Sequence, residues 1–300
     1  MKNYFIKIIA LITMLPIILS YSLSILYSHA AQYLTGNTDN WVIANCDVWQ
    51  GDSFLIRTGE NSAIVNDVGP EDDGKHKRDG IVKCLKKYHI NQIDLLILSH
   101  YHDDHVGDLE SLLKVQTPAK ILLPIYEEPA MWASKTAAII RKYAASTPVT
   151  SAITGQNEII GFTKFTILNA NPLISIDDDD SINDSSLTVY YEINAPSDSF
   201  ESKPISFLAT GDIEIRGQQE LLKTVKQLNI KNIDIYKIPH HGSSTQNATL
   251  LKILNPKIAL IGVGEGNSYK HPSDKTIALL ESINPAIIIK RTDQDGSCAI

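Results

Sequence analysis

The stretch Ser99-His100-Tyr101-His102-Asp103-Asp104-His105 puts three histidines and two aspartates into seven residues. Residues two apart on an extended segment point the same way, so His100 and His102 can grip one metal ion. Asp104 and His105 sit at the turn and can reach a second ion close by. Upstream, Asp94-Leu95-Leu96-Ile97-Leu98 reads as a buried strand. Downstream, Val106 to Leu113 reads as the start of a helix. Such strand–loop–helix junctions are where α/β proteins place their chemistry. The alternative is a solvated loop, but loops seldom carry imidazoles and carboxylates at ligand spacing.

Further motifs follow in order. They are Asp47-Val48-Trp49-Gln50-Gly51-Asp52-Ser53-Phe54-Leu55-Ile56, Thr210-Gly211-Asp212, Pro239-His240-His241-Gly242-Ser243, Asn267-Ser268-Tyr269-Lys270-His271-Pro272 and Arg291-Thr292-Asp293-Gln294-Asp295-Gly296. Together with the histidine-rich loop they resemble the metallo-β-lactamase superfamily, in its ComEC-like competence branch. That branch includes the extracytoplasmic hydrolase domain of a DNA-uptake protein. The resemblance implies an α/β fold, a four-layer αβ/βα sandwich of two related halves, in a domain spanning residues 36–300. One internal echo fits two such halves. Ile93-Asp94 precedes His100 by the same spacing with which Ile233-Asp234 precedes His240. The echo aligns His240, rather than His241, with His100.

On this reading His100 and His102 hold a first metal, and Asp104, His105 and His240 hold a second. Asp212 bridges the two, following a glycine that lets the backbone approach closely. The expected cofactors are two divalent ions, Zn²⁺ or Mn²⁺, since imidazole and carboxylate donors suit such metals. A hydroxide between two cations would be the nucleophile, and Asp104 and Asp212 count among the catalytic residues. His241 and His271 are assigned to substrate contact or proton transfer. Ser243 is open between a site role and a helix cap. Asp67 is open between orienting a ligand histidine and an Asx turn. Many superfamily members supply a third histidine to the first metal, but no histidine lies between residues 106 and 239. Asn183, Asp184 and Ser185 are candidates for that position.

The chain has 300 residues, 43% of them hydrophobic, which is enough for one large α/β domain. Its net charge of −7 gives no global basic footprint for nucleic acid. A local basic path remains, drawn through Lys237, Lys270, Lys290 and Arg291. Lys75 to Arg78 and Asp177 to Asp180 read as solvated loops. Lys2 and Lys7 lead an apolar run that ends near Ser28-His29-Ala30-Ala31. Residues 1–30 therefore read as a secretory signal peptide or an N-terminal membrane anchor through residues 4–27, with the domain exported. Of three cysteines, Cys46, Cys84 and Cys298, an exported chain could pair two, while free buried thiols are the default. The expected reaction is hydrolysis of phosphodiesters, in a small molecule or in DNA. The alternatives are hydrolysis of small esters, lactones or thioesters, and a non-catalytic binding protein of the same fold.

Overall fold

Short runs of Ile, Leu, Val and Phe form fourteen strands among the residues that the computed structural model describes: 41–125, 131–170, 179–194 and 203–300. One sheet contains β1 (Ile43–Asn45), β2 (Phe54–Arg57), β3 (Ser62–Asn66), β4 (Gln92–Ile97), β5 (Ile121–Leu123), β6 (Val149–Ser151) and β14 (Cys298–Ala299). Their order is β14-β1-β2-β3-β4-β5-β6. The second contains β7 (Asn157–Ile160), β8 (Thr163–Asn169), β9 (Thr188–Ile193), β10 (Ile205–Ala209), β11 (Ile235–Lys237), β12 (Ile258–Ile261) and β13 (Ile288–Arg291). Their order is β13-β12-β11-β10-β9-β8-β7. Each sheet is antiparallel on one side and parallel on the other. The parallel parts begin at the β3–β4 and β10–β11 pairs.

The period-2 alternation of strand side chains sorts residues into layers. On β2, Leu55 points away from the second sheet and packs with Ile81, Cys84 and Leu85 of the helix Gly80–Lys87. Its neighbour Phe54 points the other way and meets Phe207 of β10, ring centroids 5.7 Å apart. On β10, Leu208 packs outward against Leu221 and Val225 of the helix Ile215–Gln227. The result is helix, sheet, sheet, helix: the four-layer αβ/βα sandwich expected. Between the sheets, Tyr191 stacks on Phe207 at 5.6 Å and its hydroxyl donates to Asn66 Oδ1 at 2.8 Å. Each such ring contributes roughly 1.5–3 kcal/mol of burial, and the hydrogen bond satisfies the buried hydroxyl.

Backbone hand sets two boundaries: the chain leaves the sheet after Asn45, with Trp49 at a left-handed φ of 67°, and the β7–β8 hairpin turns at Gly161 with φ 57°. The loop expected at Asp177 to Asp180 is partly a helix, Asp179–Asp184, while 177 and 178 lie outside the described residues. Residues 1–30 and 36–40 lie outside them too. Among the described residues no helix is long and apolar enough to cross a membrane.

Free thiols were the default reading, but Cys46 and Cys84 form a disulfide with Cα atoms 5.8 Å apart. Cys298 is a free, half-buried thiol. Sequence spacing does not reveal such an approach; it depends on how the Gly80–Lys87 helix packs against the end of β1. The bridge spans 38 residues, so chain-entropy arguments give it roughly 4 kcal/mol at most. The double variant Cys46→Ser/Cys84→Ser is expected to lose about 2–4 kcal/mol in urea denaturation and to keep its far-UV spectrum. An unchanged midpoint would remove the bridge from the stability of the fold.

Candidate metal centre

The chemistry-bearing loops gather where β4, β10 and β11 end. The loop after β4 carries the histidine cluster, β10 leads through Gly211 to Asp212, and β11 ends at Lys237 before Pro239-His240-His241-Gly242. Close backbone packing sets these loops against one another. A Cβ on Gly51 would come 2.3 Å from Asp104 O, and Gly51 takes φ 147°, so the β1–β2 loop can lie against Asp104 only with glycine there. A Cβ on Gly211 would lie 2.6 Å from Ser186 Oγ and 3.0 Å from Ser99 Oγ. Without it, Ser186 Oγ accepts a hydrogen bond from the Asp212 amide at 3.0 Å.

Two imidazoles are aimed inward by the same device. The Nδ1 of His105 faces Asp67 Oδ2 at 3.0 Å, and the Ser99 amide donates to Asp67 Oδ1 at 2.6 Å. Asp67 therefore orients a histidine, which decides the question left open by the sequence. With Nδ1 engaged, His105 Nε2 lies 3.2 Å from Asp212 Oδ2 and 3.9 Å from Asp104 Oδ1. The Nδ1 of His241 donates to Gly262 O at 2.7 Å. Its Nε2 lies 3.1 Å from Asp104 Oδ2 and 3.0 Å from Asp212 Oδ2. Fixing one ring nitrogen on an outer partner while presenting the other is how metal-ligating histidines are held.

Ligand atoms of Asp104, His105, Asp212 and His241 all lie within 4.8 Å of one another. Their donor set fits a divalent ion: two imidazoles and two carboxylates, three of the four buried, with His105 Nε2 buried and making no hydrogen bond. A second group, Asp52, Asp67 and His105, adjoins it. His100 Nε2 and His102 Nδ1 approach to 3.1 Å and can face one ion together.

The histidine after β11 that joins the cluster is His241, not the expected His240. Both take left-handed backbone, φ 47° and 51°, inside a tight 3-10 turn that opens with Pro239. That turn breaks the parallel with the loop after β4. It carries His240 outward, where its Nδ1 pairs with Glu214. Glu214 also accepts a hydrogen bond from Thr245, whose hydroxyl pairs with Ser243 at 2.8 Å. Ser243 thus stands in a rim network. His271 faces His240 edge-on at 5.4 Å, and exposed Tyr269 stacks on it at 5.8 Å. The structure therefore places His240 and His271 on the rim, and places His241 among the prospective ligands.

Lys237, which the sequence reading placed on a basic path, and Asp52 and Glu214, which it left without a role, hold the centre. Lys237 is buried, its ammonium 2.9 Å from Asp212 Oδ1, 2.5 Å from Asp52 Oδ2 and 2.5 Å from Gly211 O. It is therefore not part of a basic path. Lys290 pairs with Asp295 at 2.9 Å and Arg291 with Asp293 at 2.6 Å, so of the four cations expected on that path only Lys270 is neither buried nor placed in one of these ion pairs. Glu214, two residues after Asp212, was an omission, although its position in Thr210-Gly211-Asp212-Ile213-Glu214 was visible. In place of a third histidine, Asp184 accepts from the amides of Glu214 and Gly217, both at 2.8 Å, at the start of the Ile215–Gln227 helix. Ser185 Oγ donates to Ile182 O at 2.7 Å, and Asn183 Oδ1 is buried without a hydrogen bond.

The electrostatics are those of a cation site. Burial opposes the charge of Asp212, but His241, Lys237 and His105 outweigh it and hold its pKa well below the usual carboxylate range. Burial likewise opposes ionisation of Asp104, and His105 and His241 bring it down to about 2. Burial disfavours charged His105 and His241, yet the surrounding carboxylates raise both well above the ordinary histidine value. His100 is pushed well below it by burial and by His105 and His102, so its imidazole is neutral and available as a ligand. Burial lowers His271 to about 4, helped by His241 and His240.

Comparison with known proteins agrees with this fold. A family model described as the metallo-beta-lactamase superfamily matches residues 46–190. ComE operon protein 3 of Bacillus subtilis (strain 168) is 28% identical over 267 residues, 84% of this chain and 32% of that protein. This chain thus spans about a third of that relative's length. Among solved structures, CmlA, a diiron β-hydroxylase from Streptomyces venezuelae, superposes with a TM-score of 0.56 at 13% identity, covering 86% of this chain and 54% of that one. Zn(2+)-bound PqqB from Methylobacterium extorquens gives 0.53 at 11% identity, covering 84% and 87%. The chain has the metallo-β-lactamase fold, and the family model matches just under half of its length. Its likeness to ComE operon protein 3 supports the ComEC-like branch.

Proposed function

We propose that this chain is an exported, metal-dependent hydrolase of phosphodiesters. The observation that carries hydrolysis is the convergence of Asp104, His105, Asp212 and His241, with the two imidazoles held by Asp67 and Gly262 O so that Nε2 points inward. The fold alone does not fix a reaction, since CmlA shares it and is a hydroxylase. Bound divalent ions, Zn²⁺ or Mn²⁺ for this donor set, would supply Lewis acidity and bring the pKa of water towards about 7. His100 and His102 would contribute to the first ion position. His240, held through Nδ1 by Glu214, and His271 would contact substrate from the rim, with Lys270 beside them.

Export is supported by two features: the lysine-led apolar start read from the sequence, and the Cys46–Cys84 disulfide, which suits an oxidising compartment. Phosphodiesters are supported by the likeness to the competence branch and by the cationic rim residue Lys270. Because the other three expected cations are buried or paired, the salt dependence should be shallow. About one phosphate contact gives a log–log slope near −1.

The test is a panel of bis(p-nitrophenyl) phosphate, single-stranded DNA, p-nitrophenyl butyrate and a simple lactone, with Mn²⁺ or Zn²⁺. Phosphodiester turnover is expected, weakening modestly with salt. Lys270→Glu should reduce it about 10-fold without changing metal content. Ester or lactone turnover indifferent to salt, with no phosphodiester cleaved, would replace this reading by the small-ester one.

A further inference from the structure

Asp212 does not offer its two oxygens equally. Its Oδ1 is held by the Lys237 ammonium at 2.9 Å, while Oδ2 faces His105 Nε2 at 3.2 Å and His241 Nε2 at 3.0 Å. The ammonium cannot easily let go. It donates hydrogen bonds to Asp212 Oδ1 and Gly211 O and is ion-paired with Asp52 Oδ2. Lys237 and Asp52 are each only 1% exposed, and a buried charge separated from its partner is costly. Asp52 is itself fixed, since its amide donates to Asp104 O at 3.1 Å. A chain of contacts thus runs from the Asp104 backbone through Asp52 and Lys237 to one oxygen of Asp212. The other oxygen is committed to the four-ligand group Asp104, His105, Asp212 and His241. His100 belongs to no such group among the described residues.

We propose that Lys237, clamped by Asp52, is a positioning residue that makes the two ion positions unequal. By holding Oδ1 it commits Asp212 to the Asp104–His105–His241 position. That position binds one divalent ion first and about 100-fold more tightly than a second ion binds at His100 and His102. This rests on the metal-centre reading above. It reverses the usual expectation from the sequence, where the bridging aspartate serves both ions alike.

The test is calorimetric titration of the metal-stripped full chain with Zn²⁺, paired with elemental analysis after desalting. One ion per chain is expected to survive desalting, and a second is expected to bind about 100-fold more weakly. His100→Ala should remove the weak phase and leave the tight one. Lys237→Met/Asp52→Asn removes opposite charges together and frees Oδ1, so the two affinities should close to within about 10-fold. Should that variant fail to fold, Asp52→Asn keeps the ammonium but removes its anchor, and is expected to narrow the gap in the same direction. Two ions of equal affinity in the unmodified chain, or an unchanged gap in the folded variants, would overturn the proposal. Binding of no ion at all would instead sink the metal centre itself.

Discussion

Asp212→Ala is expected to lower metal-dependent turnover by about 10³-fold or more while the chain stays folded. Among the described residues, Asp212 is the one side chain with an oxygen within 3.2 Å of both inward-facing imidazoles. Removing it takes away a ligand and the charge that draws a cation between His105 and His241. The rim residues cannot compensate, because His240 belongs to no prospective ligand group among the described residues. The variant should survive as a fold because Lys237 retains Asp52 Oδ2 and Gly211 O as partners. The stability loss should therefore fall below the roughly 3–5 kcal/mol of a buried ion left with no partner. Turnover per folded molecule, with a thermal melt to establish folding, checks this. Near-normal turnover in a folded Asp212→Ala chain would mean that the reaction centre lies elsewhere.

The α/β sandwich and the position of the metal loop were legible because they rest on local pattern. The aliphatic runs of β4, β10 and β12 announce strands buried on both faces, and His100-x-His102-x-Asp104-His105 keeps its meaning wherever the strand before it points. What stayed hidden depends on burial and backbone hand. Lys237 was read as a surface cation because sequence gives a residue's charge and not its surroundings. In the fold it is enclosed by two carboxylates from distant segments, Asp52 and Asp212. Asp52 stood in a quoted motif, yet nothing local marks it as the partner of a residue 185 positions later. The Cys46–Cys84 bridge depends on a helix-to-sheet approach that spacing does not encode. The echo between the loops after β4 and β11 was present in the sequence, but the left-handed pair His240-His241 makes equal spacing place different side chains.

That last point yields the sharpest separation of adjacent residues. His241→Ala is expected to weaken binding of the retained ion by at least about 100-fold and to take turnover with it. His240→Ala should keep the ion and lose turnover alone. The reason is geometric. His241 Nε2 lies 3.0 Å from Asp212 Oδ2 and 3.1 Å from Asp104 Oδ2, with Nδ1 anchored on Gly262 O. His240 spends Nδ1 on Glu214 and keeps its ring beside His271 at the rim, where it can meet substrate. Since the two residues are sequence neighbours, non-specific disturbance of the turn should affect both variants alike. Ion content per chain, measured after desalting beside turnover on bis(p-nitrophenyl) phosphate, separates the two roles. Loss of the ion in His240→Ala with retention in His241→Ala would restore the alignment of His240 with His100 and overturn the ligand set drawn from the structure.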